Sequence, residues 1–276
     1  MPYAQTHLAL LGQLRKLGYG AGDLDRIRRA YGLAMRLFTG HFRPNGVPFL
    51  THLVRTASVL ADTGALPDAV IAALLHAAYT HGEFGDGRRG VTEAKRARLR
   101  AAVGDASEDL IRAYTETGWP ELLLTAAGGV DALSHRDRTI LLIRLANELE
   151  DYLDVDAGGS PKLELATASA MLGDCVRVAA SMDQPGLRSA FAQACEQLRR
   201  TAVQAPASAP AMTWAPPEAA LYAGPRGSFL LAPRSHRPRA LLSLRQFVRG
   251  STAPAALYRA GRALFERLRG SHTRTR

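Results

Sequence analysis

The stretches HFRPNGVPFLTHLVRTASVLADTG, residues 41–64, and DAVIAALLHAAY, residues 68–79, decide how this chain folds. Both are rich in alanine and leucine, which favour helices because they lose little rotamer freedom there. Gly64 ends the first run and Pro67 opens the second, which is how two consecutive helices are usually separated. The pattern predicts two adjacent helices in these stretches.

The rest of the first 200 residues shows the same helical spacing of apolar positions. Thr92 is expected to cap one helix, and Asp23 and Asp105 two others. We therefore expect an all-α domain over residues 1–203. Six helices are predicted at about residues 4–17, 23–39, 49–63, 134–154, 161–182 and 185–203. Three more are predicted to begin at about residues 67, 92 and 105.

The composition changes after Val203. Residues 204–217 are rich in alanine and proline and are predicted to be a linker, and residues 218–276 a basic, partly helical extension. Twelve arginines and two glutamates follow residue 200, and their difference of ten equals the net charge of +10 of the whole chain. Nucleic-acid binding is thus not indicated for the main domain. The extension is expected to meet a membrane surface or a partner protein; a nucleic-acid contact and no role at all are alternatives.

Targeting signals are not evident in the sequence. The amino-terminal residues lack the basic start and apolar run of a signal peptide, and no stretch has the roughly 18 apolar residues of a membrane span. The two cysteines, Cys175 and Cys195, are too far apart in sequence for a metal-binding pair and are expected to be reduced core residues. These features predict a cytoplasmic protein.

A third stretch, LLIRLANELEDYLD at residues 141–154, completes a motif. In this order the three stretches resemble the HD-domain superfamily of metal-dependent phosphohydrolases, most closely the hydrolase domain of the stringent-response alarmone enzymes. The resemblance covers residues 22–155 and implies an HD-domain-like helical bundle. It puts His52, His76, Ala77 and Asn147 at the four metal-ligand positions, and Arg43 at the loop arginine that contacts the nucleotide base.

The sequence departs from that family at the aspartates. Ala77 and Asn147 stand where the family has carboxylate ligands, and a divalent ion needs anionic oxygens beside its imidazoles. No cofactor is therefore expected. If a divalent metal is bound, its ligands are expected to be His52 and His76 with either His81 or Asp151. A small residue after His76 and a tyrosine nearby resemble a smaller, poorly characterised HD-like group.

Seven residues are candidates for the site. His76 follows an apolar turn, so burial is expected to keep it neutral and suited to act as a general base. Each candidate also has a plain structural alternative, such as a core histidine, a core tyrosine or a surface arginine. Glu150 and Asp154 are expected on a solvated acidic face. The catalytic candidates are His76, His52, Tyr79 and His81, and the substrate-binding candidates are Arg43, Asn147 and Asp151.

Three functions remain open from the sequence. The first is a degenerate HD-domain enzyme that hydrolyses, eliminates from or rearranges a small anionic metabolite, for example in specialised biosynthesis. The second is a non-catalytic protein that binds a nucleotide or metabolite and regulates a partner. The third is a metal-dependent phosphohydrolase or oxygenase with non-standard ligands.

Overall fold

The structure is a computed structural model that describes residues 3–43, 47–118, 126, 129–153 and 165–204. Within these ranges the only β pairing is an isolated bridge between Phe42 and Pro48, so the all-α prediction is confirmed. The elements are α1 (His7–Lys16), α2 (Ala21–Phe38), α3 (Phe49–Ala61), α4 (Pro67–Leu75), α5 (Ala78–His81), α6 (Glu93–Val103), α7 (Asp105–Glu116), a 3-10 helix (Val130–Ala132), α8 (His135–Glu150), α9 (Leu165–Ser181) and α10 (Pro185–Gln204).

Helices α3 and α4 form the centre of the core. From His52 to Ala61 every residue of α3 is buried, as is every residue of α4 from Ala69 to Leu75. Helix α3 packs against α4 and α8, whereas α4 packs also against α2 and α7. Polar groups on such central helices lose their hydration, so they need partners inside the protein.

The helix starts confirm one predicted cap and correct two. Thr92 caps α6, since its side chain accepts a backbone hydrogen bond from the first turn. Asp23 does not cap α2, which begins earlier after Gly20, and Asp105 does not cap α7, whose N-cap is Gly104. Gly104 has φ 89°, a conformation that glycine adopts without the steric cost of a side chain. Both aspartates lie in first turns, where the helix dipole favours them.

Helices α9 and α10 pack against each other, and α10 also contacts α8. Cys175 is buried and Cys195 half-buried, and both are free thiols. Beyond Gln204, the predicted linker to residue 217 and the predicted extension at 218–276 lie outside the described residues. None of the described helices combines the length and the apolar character that crossing a bilayer requires.

Candidate functional site

His52 lies in the first turn of α3 and is held through one ring nitrogen. Its Nδ1 atom is 2.5 Å from Oε2 of Glu150, the last residue of α8. Arg43 Nη1 lies 3.0 Å from the same Nδ1 and donates to Glu150 Oε2 at 2.7 Å. A guanidinium only donates and an ionised carboxylate only accepts, so Nδ1 cannot hydrogen-bond both groups at once. The shorter contact, with Glu150, places the proton on Nδ1, and Arg43 then donates to Glu150 and not to this nitrogen. In the neutral ring the Nε2 atom therefore carries the lone pair.

His76 follows α4 directly, and its side chain is anchored to the end of that helix. The carbonyls of a last helical turn lack intrahelical partners, and that of Ala73 accepts from His76 Nδ1 at 2.8 Å. This contact leaves His76 Nε2 as an acceptor. Burial, with a further contribution from His52, holds the pKa of His76 well below its usual value, so the imidazole is neutral near pH 7.

The two histidines meet through their remaining nitrogens. His52 Nε2 and His76 Nε2 are 3.4 Å apart, and the rings lie edge to face with centroids 5.2 Å apart. When both rings are neutral, two lone pairs face each other and repel. When the pair binds one proton, that proton makes a hydrogen bond between the two Nε2 atoms and gives the pair a positive charge. The carboxylate of Glu150 stabilises this charge on the His52 side. Glu150, His52 and His76 therefore form a continuous acid–base chain.

Glu150 is also the centre of a buried charge cluster. Arg43 forms ion pairs with Glu150 and Asp151, and Arg55 Nη1 lies 3.6 Å from Glu150 Oε1. Burial disfavours the charge on Arg43, but Asp151 and Glu150 outweigh that effect and raise its pKa. The expected solvated position of Glu150 is wrong: the residue is 3% exposed, because the end of α8 lies against α3 and Arg43. Asp154 lies outside the described residues.

Three residues of this cluster could hold a metal ion. His52, Glu150 and Asp151 each offer a ligand atom within 4.8 Å of the others. The guanidinium of Arg43 already pairs with both carboxylates, so a cation is present among these ligands. A divalent ion would have to enter beside that positive charge.

Fewer possible metal ligands lie around the pair His52 and His76 than in the set of His52, Glu150 and Asp151. In the described part of the chain, no other histidine, cysteine, aspartate or glutamate joins both His52 and His76 within that same spacing. Ala77, one of the positions that the sequence resemblance suggested for a ligand, has no ligand atom in its side chain. Asn147, another of those positions, is partly buried and offers only a neutral amide. Neither residue therefore adds a carboxylate to the histidine pair.

An aromatic ring and a second arginine extend the site on the other side of His76. The Tyr114 ring, on α7, meets the His76 ring at a centroid distance of 5.0 Å. The guanidinium carbon of Arg144, on α8, lies 3.8 Å from the centroid of Tyr114. Nη2 of Arg144 donates to the carbonyls of Tyr114 and Thr117 at 2.6 and 3.0 Å. A cation is therefore fixed one aromatic ring away from the acid–base chain.

Comparison with known proteins gives one family model and a distant structural likeness. The model of a domain of unknown function, DUF6817, matches residues 35–117, which include both histidines. No curated protein matches the chain. A solved structure described as a metazoan ortholog of SpoT, which hydrolyses ppGpp and plays a role in starvation responses, is 17% identical. The likeness covers 67% of this chain and 96% of that one, with a TM-score of 0.37.

Five of the seven candidate residues lie in or beside the cluster just described. His52, His76, Arg43 and Asp151 are joined by the contacts given above. Asn147 lies on α8 one turn before Asp151, and it is partly buried. The spacing of the three sequence stretches thus led to residues that the fold brings together.

Tyr79 and His81 have other surroundings. The Tyr79 hydroxyl donates to Glu108 at 2.6 Å, and burial, followed by that bond, raises the pKa of Tyr79. Glu108 also pairs with Arg96, so this network ties α5 to α6 and α7. His81 is exposed, with its Nδ1 atom 2.9 Å from the hydroxyl of Thr80. These contacts give Tyr79 a structural position in the core.

Four residues of the site are not among the sequence candidates: Glu150, Arg55, Tyr114 and Arg144. Arg144 and Glu150 are three positions before and after Asn147, which is close to one helical turn in each direction. That spacing is a usable signal for both. Nothing in the sequence around Tyr114 marks it as a neighbour of His76.

Proposed function

We propose that this protein is an enzyme that carries out proton-transfer chemistry on a small anionic substrate without a metal ion. The observation that carries the proposal is the facing pair of Nε2 atoms, 3.4 Å apart, in His52 and His76. The Nδ1 atoms of both rings hydrogen-bond other groups, and their Nε2 atoms face each other across the site. Hydrolysis, elimination and rearrangement all need a group that removes a proton and returns it.

The chain of Glu150, His52 and His76 has the parts of a general acid–base catalyst. In the neutral state an Nε2 lone pair takes a proton from the substrate or from water. The charge is stabilised on His52, because the Glu150 carboxylate holds its Nδ1–H at 2.5 Å. A carboxylate that orients an imidazole and stabilises its cation works in the same way in serine hydrolases. The protonated pair then returns the proton to the leaving group.

The side chains around the histidine pair do not offer the ligands that a divalent metal ion needs. The sequence resembles a metal-dependent family, but Ala77 and Asn147 replace its two aspartates. The nearest carboxylates, Glu150 and Asp151, already pair with Arg43, and Glu150 also pairs with Arg55. Two imidazoles without a carboxylate are a weak site for a hard divalent ion. The residues present do not make up the family's site, and no step here uses a metal.

A metal-dependent phosphohydrolase is the second candidate function. It is favoured by the ligand spacing of His52, Glu150 and Asp151. In that case Arg43 would have to move away when the ion binds, because it occupies the same carboxylates. A need for added metal would therefore favour this candidate over the first.

The test is a search for turnover with and without metal. Purified protein is incubated with a panel of small phosphorylated and carboxylated metabolites, in EDTA or with added Mn²⁺ or Zn²⁺, and products are followed by mass spectrometry. We expect turnover that resists EDTA and is lost in His76→Gln and in Glu150→Gln. The control is His135→Gln, which changes an exposed histidine of α8 and should keep full activity.

Three results would contradict the proposal. Turnover that requires added metal, with an equivalent of bound metal by elemental analysis, would favour the phosphohydrolase. Turnover that survives both substitutions would remove the acid–base chain from the mechanism. Binding of a metabolite without any turnover would leave a non-catalytic binding protein.

A further inference from the structure

Arg144 differs from the other buried cations in its lack of a carboxylate partner. Buried or partly buried lysines and arginines are normally paired, because an isolated charge away from water is costly. Among the described residues, every other such side chain has a carboxylate oxygen within 4.0 Å. Those nine residues are Arg26, Arg43, Arg55, Lys95, Arg96, Arg100, Arg112, Arg136 and Arg138.

The donors of Arg144 are only partly used. A guanidinium has five N–H donors, and Nη2 of Arg144 gives its two to the carbonyls of Tyr114 and Thr117. Its Nε atom is buried and has no hydrogen-bond partner. The side chain also hydrogen-bonds the Tyr114 hydroxyl, which opposes the rise that burial causes in the pKa of Tyr114. Stacking on Tyr114 and these hydrogen bonds therefore hold the side chain in place, while the Nε–H donor has no partner and the charge has no carboxylate beside it.

A purely structural role explains only some of the contacts of Arg144. Tyr114 and Thr117 stand at the end of α7, where carbonyl groups lack helical partners, so Arg144 satisfies two of them. That role leaves the Nε–H donor unused. It does not explain a buried Nε–H without a partner, and it does not supply the missing counter-charge.

The position of Arg144 connects this charge with the proposed chemistry. Tyr114 separates its guanidinium from the His76 ring, and the charge still helps to lower the pKa of His76, after burial and His52. The acidic residues on the same side of α8 are Glu148 and Asp151, and Asp151 already pairs with Arg43. A small anion beside Arg144 would therefore lie near the acid–base chain and supply the counter-charge.

We propose that Arg144 binds the anionic group of the substrate, an oxyanion of the carboxylate or phosphate type. This inference rests on the proposed function and names its substrate class. An oxyanion accepts several hydrogen bonds, and charge-assisted bonds to arginine are among the strongest in proteins. The reacting bond of the substrate would lie toward the Nε2 atoms, with its anionic group held on the other side of Tyr114.

The test uses inorganic phosphate and acetate as probes of the full-length protein. Thermal unfolding is followed while either anion is titrated against chloride at constant ionic strength. We expect a saturable rise in Tm for the wild type, because a ligand of the folded state stabilises it. In Arg144→Gln the apparent affinity should fall by at least about tenfold, because the charge-assisted contact with the anion is lost. The matched control is Arg138→Gln, which removes one charge from the same helix at a residue paired with Asp131.

The outcomes separate the two proposals. Saturable binding that persists in His76→Gln and is lost in Arg144→Gln supports the anion site even if no turnover is ever found. A response to phosphate alone assigns phosphate esters, and a response to acetate alone assigns carboxylic acids. No saturable response in the wild type, or equal affinity in Arg144→Gln, overturns the inference. If that variant does not fold, Arg144→Met keeps a long side chain without the charge, and unchanged affinity there overturns the inference equally.

Discussion

The carboxylate of Glu150 accepts a hydrogen bond from Nδ1 of His52 at 2.5 Å, although 98 positions separate the two residues in the sequence. The same carboxylate oxygen accepts from Arg43 at 2.7 Å. One acidic residue at the end of α8 therefore fixes the tautomer of a histidine and balances a buried cation.

Glu150→Gln should destabilise the protein by about 3 kcal/mol, because removing one partner of a buried ion pair leaves the other charge uncompensated. Arg43 would keep only its ion pair with Asp151, and Arg55 would lose its ion pair with Glu150. Urea unfolding monitored by circular dichroism measures the effect. Glu116→Gln is the control: its side chain is 48% exposed and pairs with Arg112, so a cost below about 1 kcal/mol is expected. If Glu150→Gln also costs less than about 1 kcal/mol, Glu150 is not the centre of a buried charge cluster.

His76 should make the stability of the protein decrease in mild acid. An unfolded histidine titrates near pH 6.5, whereas the pKa of folded His76 is well below that value. As the pH falls below about 6.5, only the unfolded chain gains this proton, so unfolding becomes more favourable. Between pH 7.5 and 5.5 the loss of unfolding free energy should be about 1 kcal/mol smaller in His76→Gln than in the wild type. Equal losses in both proteins would show that His76 is not buried as described.

Arg43→Ala should create a better metal site. The change removes the guanidinium that pairs with Glu150 and Asp151 and leaves these carboxylates beside His52. We expect the affinity for Zn²⁺, measured by equilibrium dialysis, to increase by about tenfold or more, the size of effect that neighbouring groups have on metal sites. Arg138→Ala, on the same helix, should bind as the wild type does. An unchanged affinity in Arg43→Ala would mean that the cluster does not bind metal with or without the arginine.

Tyr79→Phe should affect stability and leave anion binding unchanged. The substitution removes the hydroxyl that donates to Glu108 at 2.6 Å, and losing a hydrogen bond to a buried charged group costs about 1–3 kcal/mol. Tyr31→Phe is the control, because that half-buried ring stacks on His7 and no hydrogen bond of its hydroxyl is found in the described part of the chain. Loss of phosphate or acetate binding in Tyr79→Phe, without a loss of stability, would return Tyr79 to the site.

The helices and the histidine pair could be predicted from the sequence because both depend on local patterns. Alanine and leucine in α3 and α4 predict two buried helices, and Gly64 and Pro67 mark the turn between them. A histidine inside each of two neighbouring buried helices is brought into contact by their packing. Thr92 could be identified as a cap because capping is a property of four consecutive residues.

The rest of the site depends on contacts between distant parts of the chain. Acidic residues at a helix end usually face solvent, and only the packing of α8 on α3 shows that Glu150 is buried against His52. Tyr79 was a candidate because of its closeness to His76 in the sequence, but the direction of its side chain takes the hydroxyl to Glu108. Tyr114 meets His76 from a separate helix, which no local pattern indicates.

The cation that balances Glu150 and Asp151 is part of the polypeptide. A bound ion can be stripped by a chelator, replaced by a competing ion or lost when a cell is starved of it, but Arg43 is present in every copy from the moment of synthesis. The charge balance of this cluster is therefore inherited with the gene and does not depend on the nutrition of the cell. The same covalent link fixes the cations of the cluster at two per chain, Arg43 and Arg55.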